Sequence, residues 1–437
     1  LTHATDPESN VTEYVYDLPG RMTHIHAPSD PFNPWVYNEY DVLDRVIRQT
    51  DVMGNVYEFY YGGNRIEEMD PRTHCHVLYL DTNGRVVEAV DQLGLSTIFE
   101  YDGLNRIRRV EHPEGDGQEF EYDGMFRNVS TLRFTPKTGS SAPAREYTFT
   151  YDPVTRRRLT ATDPQGDTTT YTYDAAGNMD LIELPEIQSV TPVYDFDVNS
   201  RGQVTRIENP EGQVMTFAYD PVTGDPENAV ADAGGLNQTL AFDYNAVGTL
   251  MTVTDPMGHP WIYTYDANRR LTGITAPPPF GYQTVLGYSP DGNIQSISVE
   301  TGVPADPWQT ITVDYDLNSR LTHITDDENR TISLEFDDRR DIWKVYDELY
   351  QNTEALYDAR GNAWRMLDEA SVVREEHGYS DNGRKASVTD AATNTTQYTY
   401  DDFDRLLRKN YPDMSFIEYT YDDSGYLTGI IIRILDE

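Results

Sequence analysis

A Tyr-Asp dipeptide returns about every 21 to 23 residues along almost the whole chain, and this period constrains the fold more than any other feature. Twelve copies are intact and seven are degenerate, which makes 19 in all. A fixed period of roughly 20 to 50 residues is typical of repeat proteins, in which each unit packs only against its neighbours. We therefore expect residues 1–437 to form a single repeat array rather than several globular domains.

Each repeat contains two tight turns and two short strands, as residues 151–174 illustrate. One turn follows Tyr-Asp and usually ends in Gly or Asn and then Arg, whereas the other reads Asp-Pro-x-Gly. Pro presets φ, the Asp side chain accepts backbone N–H groups, and Gly permits positive φ. This alternation predicts an all-β array of antiparallel hairpins, in which 19 repeats give 38 strands. Such a ribbon would be on the order of 180 Å long.

Aromatic residues two apart in the returning strand lie on one face of the predicted sheet. In the outgoing strand the apolar positions, such as Leu271 and Ile274, are three apart, so we expect them to face opposite sides. A sheet with apolar residues on both faces should curve. Closed as one ring it would be on the order of 60 Å across, and coiled more tightly it would make one or two turns of a spiral. We interpret the in-phase Tyr-Asp residues as scaffold: Tyr16, Asp17, Tyr101, Asp102, Tyr173, Asp174, Tyr265, Asp266, Tyr400, Asp401, Tyr421 and Asp422.

The formal net charge is −40 at pH 7, from 34 basic and 74 acidic residues. A surface this acidic repels phosphate backbones and anionic lipid, so we expect neither nucleic acid nor a membrane surface as a partner. No apolar run approaches the roughly 20 residues of a membrane helix, so no membrane insertion is expected. The single cysteine, Cys75, cannot form an internal disulfide.

Two His-x-His pairs are candidate metal ligands. His24 and His26 share one strand face, as do His74 and His76. Such a pair can supply two of the ligands of a zinc site, although the sequence identifies no third. The alternative interpretation is that these are packed or solvent-facing histidines, and no cofactor is expected.

Two tryptophans are candidate sugar-binding residues. Trp35 and Trp308 lie outside the regular phase of the repeat, whereas in-phase aromatic residues are more often part of the core. Close carboxylates, such as Glu375 and Glu376, could in principle act as acid and base, but 74 acidic residues produce such pairs by chance. We therefore predict no catalytic residues.

The combination of Tyr-Asp, Gly-Arg-Leu and Asp-Pro-x-Gly at this period resembles the Rhs/YD-repeat family, over about residues 5–430. Members include bacterial polymorphic toxins, shell subunits of insecticidal toxin complexes, wall-associated proteins and the extracellular part of animal teneurins. The resemblance implies a hollow β-shell built from a spiralling ribbon of hairpins. In the toxins the shell encloses a C-terminal toxic domain, and in teneurins it is an adhesion scaffold.

We therefore expect a non-catalytic structural scaffold that forms a shell or filament, exported or displayed at the cell surface. Its partners would be other copies or the remaining shell, because a chain that begins at Leu1 without Met reads as a segment of a longer protein. The alternatives are a shell segment that encloses a C-terminal toxin, a carbohydrate-binding adhesin and a polysaccharide-degrading enzyme.

Overall fold

The computed structural model describes residues 1–124, 128–339, 341–347, 349 and 351–434. Within these ranges every regular element is a β-strand, and there is no helix long and apolar enough to cross a membrane. The 39 strands form one sheet, and each strand pairs antiparallel with the strands before and after it in the chain. The predicted array of antiparallel hairpins is therefore confirmed, with 39 strands in place of 38.

The strands are short, and most have five to seven residues. Those of the first half are β1 (His3–Thr5), β2 (Val11–Tyr16), β3 (Met22–Ala27), β4 (Asp30–Tyr40), β5 (Val46–Asp51), β6 (Val56–Gly62), β7 (Arg65–Met69), β8 (Cys75–Leu80), β9 (Val86–Val90), β10 (Ser96–Tyr101), β11 (Ile107–Glu111), β12 (Gly117–Tyr122), β13 (Val129–Thr135), β14 (Arg145–Tyr151), β15 (Arg158–Thr162), β16 (Thr168–Tyr173), β17 (Met179–Glu183), β18 (Val193–Val198), β19 (Val204–Glu208) and β20 (Val214–Tyr219). Those of the second half are β21 (Pro226–Ala231), β22 (Gln238–Tyr244), β23 (Leu250–Thr254), β24 (Pro260–Tyr265), β25 (Leu271–Thr275), β26 (Gln283–Tyr288), β27 (Ile294–Val303), β28 (Asp306–Tyr315), β29 (Leu321–Thr325), β30 (Thr331–Phe336), β31 (Ile342–Tyr346), β32 (Asn352–Tyr357), β33 (Ala363–Leu367), β34 (Val373–Tyr379), β35 (Lys385–Asp390), β36 (Thr395–Tyr400), β37 (Leu406–Asn410), β38 (Phe416–Tyr421) and β39 (Leu427–Arg433).

In most copies the two kinds of turn share one backbone geometry, whereas the Tyr-Asp turns 152–157 and 220–225 have one more residue. In the turn 81–85, which follows a degenerate repeat step, the N–H of Gly84 donates to the carbonyl of Asp81 (3.0 Å), and one Asp81 carboxylate oxygen accepts the N–H groups of Asn83 and Arg85. In the Asp-Pro-x-Gly turn 163–167, Asp163 makes the same bonds. The fourth residue of the turn has positive φ. Gly84 adopts a φ of +77° there without strain, because glycine has no Cβ. The turns after Tyr-Asp all lie on one side of the ribbon, here called the YD edge, and the Asp-Pro-x-Gly turns lie on the other, the DP edge.

A β-bulge beside each Tyr-Asp step corrects one prediction about the faces. Tyr263 pairs with Ile274 and Tyr265 pairs with Leu271, with a register shift between Thr264 and Tyr265. Because residues directly opposite each other in an antiparallel pair point to the same side, Leu271 and Ile274 both lie on the aromatic face. The expectation that they face opposite sides was wrong, since the bulge adds one residue to the outgoing strand.

The opposite face is rich in Thr, Glu and Arg. Arg109 lies between carboxylates of its own and both neighbouring strands: Glu111 at 2.6 Å, Glu100 at 3.5 Å and Glu119 at 3.7 Å. Further along the ribbon Thr150 and Thr160 bond across the strands at 2.6 Å. Cross-strand pairs of this kind hold neighbouring hairpins in register.

The ribbon winds back over itself. Asn268 donates to Asp6 and Asn318 donates to Asp51, over sequence separations of 262 and 267 residues. In both cases the turn between two strands meets the turn between the strands 23 places further on, β1–β2 with β24–β25 and β5–β6 with β28–β29. At about 4.8 Å per strand, one coil has a perimeter of about 110 Å and a diameter of about 35 Å. The prediction of a spiral of one or two turns is therefore confirmed.

The coils enclose no packed core. Among the described residues the buried apolar side chains are Ala27, Val313 and Leu367. The accessible surface is 25836 Å², whereas a compact protein of this mass would expose about 17,000 Å². A wall one sheet thick, with both faces partly exposed, accounts for the difference.

Candidate functional site

The residues of the repeat motif join each hairpin to the next. Asp102 accepts both the backbone N–H and the Nε of Arg106, and the Arg106 guanidinium lies 4.0 Å from the ring centroid of Tyr122. The hydroxyl of Tyr122 in turn donates to the carbonyl of Ile107, which follows the arginine. One repeat thus holds the aromatic ring of the next by an ion pair, a cation–π contact and a hydrogen bond.

This Asp–Arg–Tyr contact recurs along the ribbon. In nine repeats of the part of the chain that the structure describes, the arginine of one turn lies within 4.0 to 5.9 Å of the ring centroid of the next repeat. Among the described residues, twelve motif tyrosines donate to a backbone carbonyl 15 to 22 residues earlier: Tyr40, Tyr61, Tyr101, Tyr122, Tyr151, Tyr173, Tyr219, Tyr288, Tyr357, Tyr379, Tyr400 and Tyr421. The hydroxyl bond gives a physical reason for Tyr rather than Phe at this position.

The motif aspartates are held as carboxylates. The side-chain bond from Arg21 lowers the pKa of Asp17, and that from Arg106 lowers the pKa of Asp102. In Asp174 the bond comes from Asn178 and has the same effect on the pKa. These carboxylates are therefore already occupied by donors of their own turn.

A second set of contacts joins the two coils, and we call it the seam. Within the described ranges it has eight contacts, here called rungs, each of which places a YD-edge turn of the second coil on a DP-edge turn of the first. The pairs of turns are 266–270 on 6–10, 289–293 on 27–30, 316–320 on 51–55, 337–339 on 70–74, 358–362 on 91–95, 380–384 on 112–116, 401–405 on 135–145 and 422–426 on 163–167.

In each rung we call the turn of the second coil the upper turn and that of the first coil the lower turn. The third residue of the upper turn makes most of these contacts. It is usually a donor that reaches a carboxylate of the lower turn: Asn268 to Asp6, Asn318 to Asp51, Arg339 to Asp70, Arg360 to Asp91, Asn382 to Asp116 and Ser424 to Asp163. Two rungs differ, because Asp291 accepts the N–H of Ser29, and Phe403 lies 4.3 Å from the guanidinium of Arg145.

The rung at 401–405 also carries a lysine. Lys137 Nζ lies 2.5 Å from Glu114 in its own coil and 3.4 Å from Asp404 in the coil above, and its N–H donates to the carbonyl of Asp402. Burial lowers the pKa of Lys137, but the bonds to the two carboxylates outweigh burial, so that the pKa lies above its usual value. The lysine is therefore a fixed cation between two acidic edges.

The seam also encloses a cavity of about 490 Å³. Its walls come from both coils and include His112, Gln118, Arg145, Asn382 and Phe403. Asp and Arg side chains of both signs surround it, so it has no strong preference for a cation or an anion. It is a gap between edges rather than a recognisable active site.

The structure does not bring the predicted histidine pairs together. The rings of His24 and His26 on β3 stack with their centroids 6.0 Å apart, on the polar face. His76 lies on the aromatic face five strands further along, and His74 bonds to Asp70 in the turn before it. Among the described residues no three His, Cys, Asp or Glu side chains form a cluster that could hold a metal ion. Metal binding by either pair stays a prediction.

The two tryptophans predicted to bind sugar are half-buried. Trp35 lies on β4 and Trp308 on β28, which are two of the three longest strands and extend hairpins on the DP edge. Trp261, which is in phase with the repeat, is more exposed at 40%. Sugar binding by Trp35 and Trp308 stays a prediction.

Sequence reasoning missed the seam residues. The signal was present, because the third residue of the Tyr-Asp turns changes along the chain. It is mostly Asn, Arg or Ser from residue 268 onward, whereas Leu or Val is common before that point, as at Leu43, Leu104 and Val247. To recognise this change as a contact between coils, one must know how many strands make up one coil, and only the structure gives that number.

Comparisons with known proteins agree with this geometry. The profile of the RHS Repeat family matches residues 151–183, 244–277 and 379–413. The crystal structure of TcdB2–TccC3–Cdc42 matches with a TM-score of 0.65 and 14% identity, over 98% of this chain and 27% of that chain. The Tc holotoxin pore of Photorhabdus luminescens, with a mutation in TccC3, matches with a TM-score of 0.63 and 14% identity, over 96% and 26%. No curated protein matches. The chain thus spans about a quarter of the length of the structures whose fold it shares.

Proposed function

The chain belongs to the Rhs/YD-repeat family, and from this premise we propose that it is one segment of the wall of a longer, exported shell protein. As a structural scaffold it would act by enclosing space rather than by catalysis. The observation that carries the proposal is the winding of a single sheet over itself every 23 strands, sealed by eight rungs, with no packed core among the described residues.

The dimensions restrict what such a wall could enclose. With a backbone diameter of about 35 Å, side chains leave a lumen of about 25 Å. A folded domain of 100 residues has a radius of gyration of about 13 Å and would not fit inside these coils. A toxin segment enclosed here would therefore be extended or unfolded. Encapsulation is supported by the similar fold of the Tc holotoxin pore of Photorhabdus luminescens.

The carboxylates support a non-catalytic role, because the close pairs are already engaged. Asp326 accepts the backbone and Nε of Arg330 in its own turn. Glu375 bonds to His377 and Glu376 lies 3.2 Å from Arg365. An acid–base pair needs a carboxyl free to exchange protons with a substrate, and these are instead fixed to cations or to a histidine ring.

Export is proposed on the likeness to shells of toxin complexes and on charge. A wall with a net charge of −40 repels its own copies at long range, which keeps a thin, exposed sheet dispersed. The charge also disfavours nonspecific adsorption to nucleic acid.

Size-selective labelling of the two faces tests the enclosed lumen. In a Cys75→Ser background, Thr169→Cys and Thr170→Cys place a thiol on opposite faces of β16, because neighbouring residues in a strand point to opposite sides. A small maleimide should label both variants at similar rates. A maleimide carrying a polyethylene glycol wider than the lumen cannot reach the inner face, so it should label the variant with the outer thiol at least tenfold faster than the other. Equal labelling by the large reagent would mean that neither face is enclosed.

A further inference from the structure

The chain contains two Asn-Gly dipeptides, Asn83–Gly84 and Asn382–Gly383, and each occupies the third and fourth positions of a YD-edge turn. The two turns have the same backbone geometry. In each turn the glycine N–H donates to the carbonyl of the first turn residue, at 3.0 and 2.9 Å, and the glycines have φ of +77° and +79°. The two sites therefore differ mainly in what surrounds the asparagine side chain.

The seam holds the side chain of one of these asparagines. Asn83 is exposed, whereas Asn382 is half-buried between the coils. The Nδ2 of Asn382 donates to Asp116 at 2.6 Å, and its Oδ1 accepts the N–H of Glu114 at 3.1 Å. Both ends of the amide group are thus fixed by the coil below.

An Asn-Gly pair can lose ammonia without an enzyme. The backbone nitrogen of the glycine gives up its proton and bonds to Cγ of the asparagine, the Cγ–Nδ2 bond breaks, and Nδ2 leaves as ammonia with that proton. The succinimide ring that forms then takes up one water and opens at either carbonyl, to aspartate or to isoaspartate. Glycine favours the reaction because, without a Cβ, it allows a close approach to the backbone.

The closed seam opposes this reaction at Asn382. Ring closure expels Nδ2, which is the donor to Asp116, and moves Cγ onto the nitrogen of Gly383, away from Glu114. At Asn83 the same step occurs at an exposed side chain. The reaction at Asn382 therefore requires that this rung first opens, as hydrogen exchange from a locally opened state does.

The product does not fit the closed seam. Deamidation replaces a donor by a carboxylate oxygen, which would face the carboxylates of Asp116 and Glu114. Asp116 is only 7% exposed, so water screens this repulsion poorly. The neighbouring cations are already engaged, because Lys137 lies 2.5 Å from Glu114 and Arg384 lies 2.6 Å from Asp404. The rung would lose a hydrogen bond and gain a like charge.

We propose that Asn382–Gly383 is a modification site at which deamidation makes the opening of the seam irreversible. A rung that opens briefly exposes the asparagine, and once the carboxylate has formed the rung does not close again. The inference goes beyond the proposed wall, since it needs only that the two coils touch at this rung.

Peptide mapping by mass spectrometry tests whether the seam controls the reaction. In folded wild type held at mildly alkaline pH, Asn83 should deamidate at least about tenfold faster than Asn382, and in denaturing urea the two rates should converge. Asp116→Ala leaves the Asn-Gly pair intact and should bring the rate at Asn382 toward that at Asn83. Asp167→Ala is the matched control, because Asp167 is exposed in another DP-edge turn, and it should leave both rates unchanged.

The substitution Asn382→Asp tests the effect of the product. The N–H of Lys137, which donates to the carbonyl of Asp402 across the seam, should exchange about tenfold faster in this variant than in Asn382→Ala, because Asp adds a repulsion that Ala lacks. High salt should reduce that excess. Asn83→Asp is the matched control and should exchange as the wild type does.

Two results would overturn the proposal. One is equal deamidation of Asn83 and Asn382 in the folded wild type, and the other is exchange of the Lys137 N–H in Asn382→Asp at the wild-type rate. If Asn382→Asp does not fold, the two deamidation rates of the wild type and of Asp116→Ala decide.

Discussion

Asn382 is the residue whose removal tests the seam most sharply. It makes three bonds to the coil below. Its Nδ2 donates to Asp116 at 2.6 Å, its Oδ1 accepts the N–H of Glu114 at 3.1 Å, and its own N–H donates to the Glu114 carboxylate at 3.2 Å. Asn382→Ala deletes the first two and keeps the third. Asp116 is only 7% exposed, so water replaces the lost donor poorly.

The expected loss can be worked from these bonds. A hydrogen bond to a charged group contributes about 1.5–3 kcal/mol and a neutral one about 0.5–1.5 kcal/mol. Because the seam is only partly buried, we take the lower ends and expect a loss of about 2 kcal/mol in the free energy of unfolding. Urea denaturation followed by circular dichroism measures this loss.

Hydrogen exchange provides a local readout of the same change. The N–H of Lys137 donates to the carbonyl of Asp402 at the neighbouring rung and is protected only while the coils are in contact. A loss of about 2 kcal/mol corresponds to roughly 30-fold faster exchange. The matched control is Asn83→Ala, because Asn83 occupies the same turn position in the first coil and is exposed. If both variants unfold at the same urea concentration and Lys137 exchanges equally in both, the seam does not stabilise the protein.

Three further substitutions test the contacts within the repeat. Tyr101→Phe removes the hydroxyl bond to the carbonyl of Val86 and should cost about 1 kcal/mol by urea denaturation, whereas Tyr14→Phe should change little. Arg106→Lys replaces a planar group that pairs and stacks, and should lower the unfolding midpoint, whereas Arg108→Lys at an exposed position should not. Because the Arg106 bond lowers the pKa of Asp102 below its unfolded value, that contribution is present above about pH 4 and is lost as the pH falls through the lowered pKa. Asp102→Asn should therefore narrow the difference in urea midpoint between pH 7 and pH 3, and an unchanged difference would contradict this.

The hairpin array could be predicted because its signals are local. In many turns, as at Asp81, the Asp accepts the N–H groups two and four residues later and the fourth residue takes positive φ, so the turn motifs indicate most strand boundaries. The interpretation of the motif Tyr and Asp residues as scaffold stays a prediction, and it is consistent with Asp102 and Tyr173, which bond within or between neighbouring repeats.

The faces and the coil could not be predicted in the same way. The bulge that turns Leu271 toward the aromatic face depends on the backbone at the Tyr-Asp step, which the spacing of apolar residues does not reveal. The number of strands in one coil depends on a small curvature per strand that accumulates over 23 strands. A change of a few degrees at each strand would pair Asn382 with a different turn. The seam is therefore a consequence of the whole ribbon rather than of any one repeat.

Small-angle X-ray scattering of the monomeric fraction tests the central claim most directly, because it measures the winding without labels. At about 4.8 Å per strand, an unwound ribbon of 39 strands would have a maximum dimension of about 190 Å. Two stacked coils about 35 Å in backbone diameter and two ribbon widths high should have a maximum dimension of about 70–80 Å. Their pair-distance distribution should be that of a hollow particle rather than of a solid one. A maximum dimension near the ribbon length would contradict the wound shell, together with the seam that depends on it.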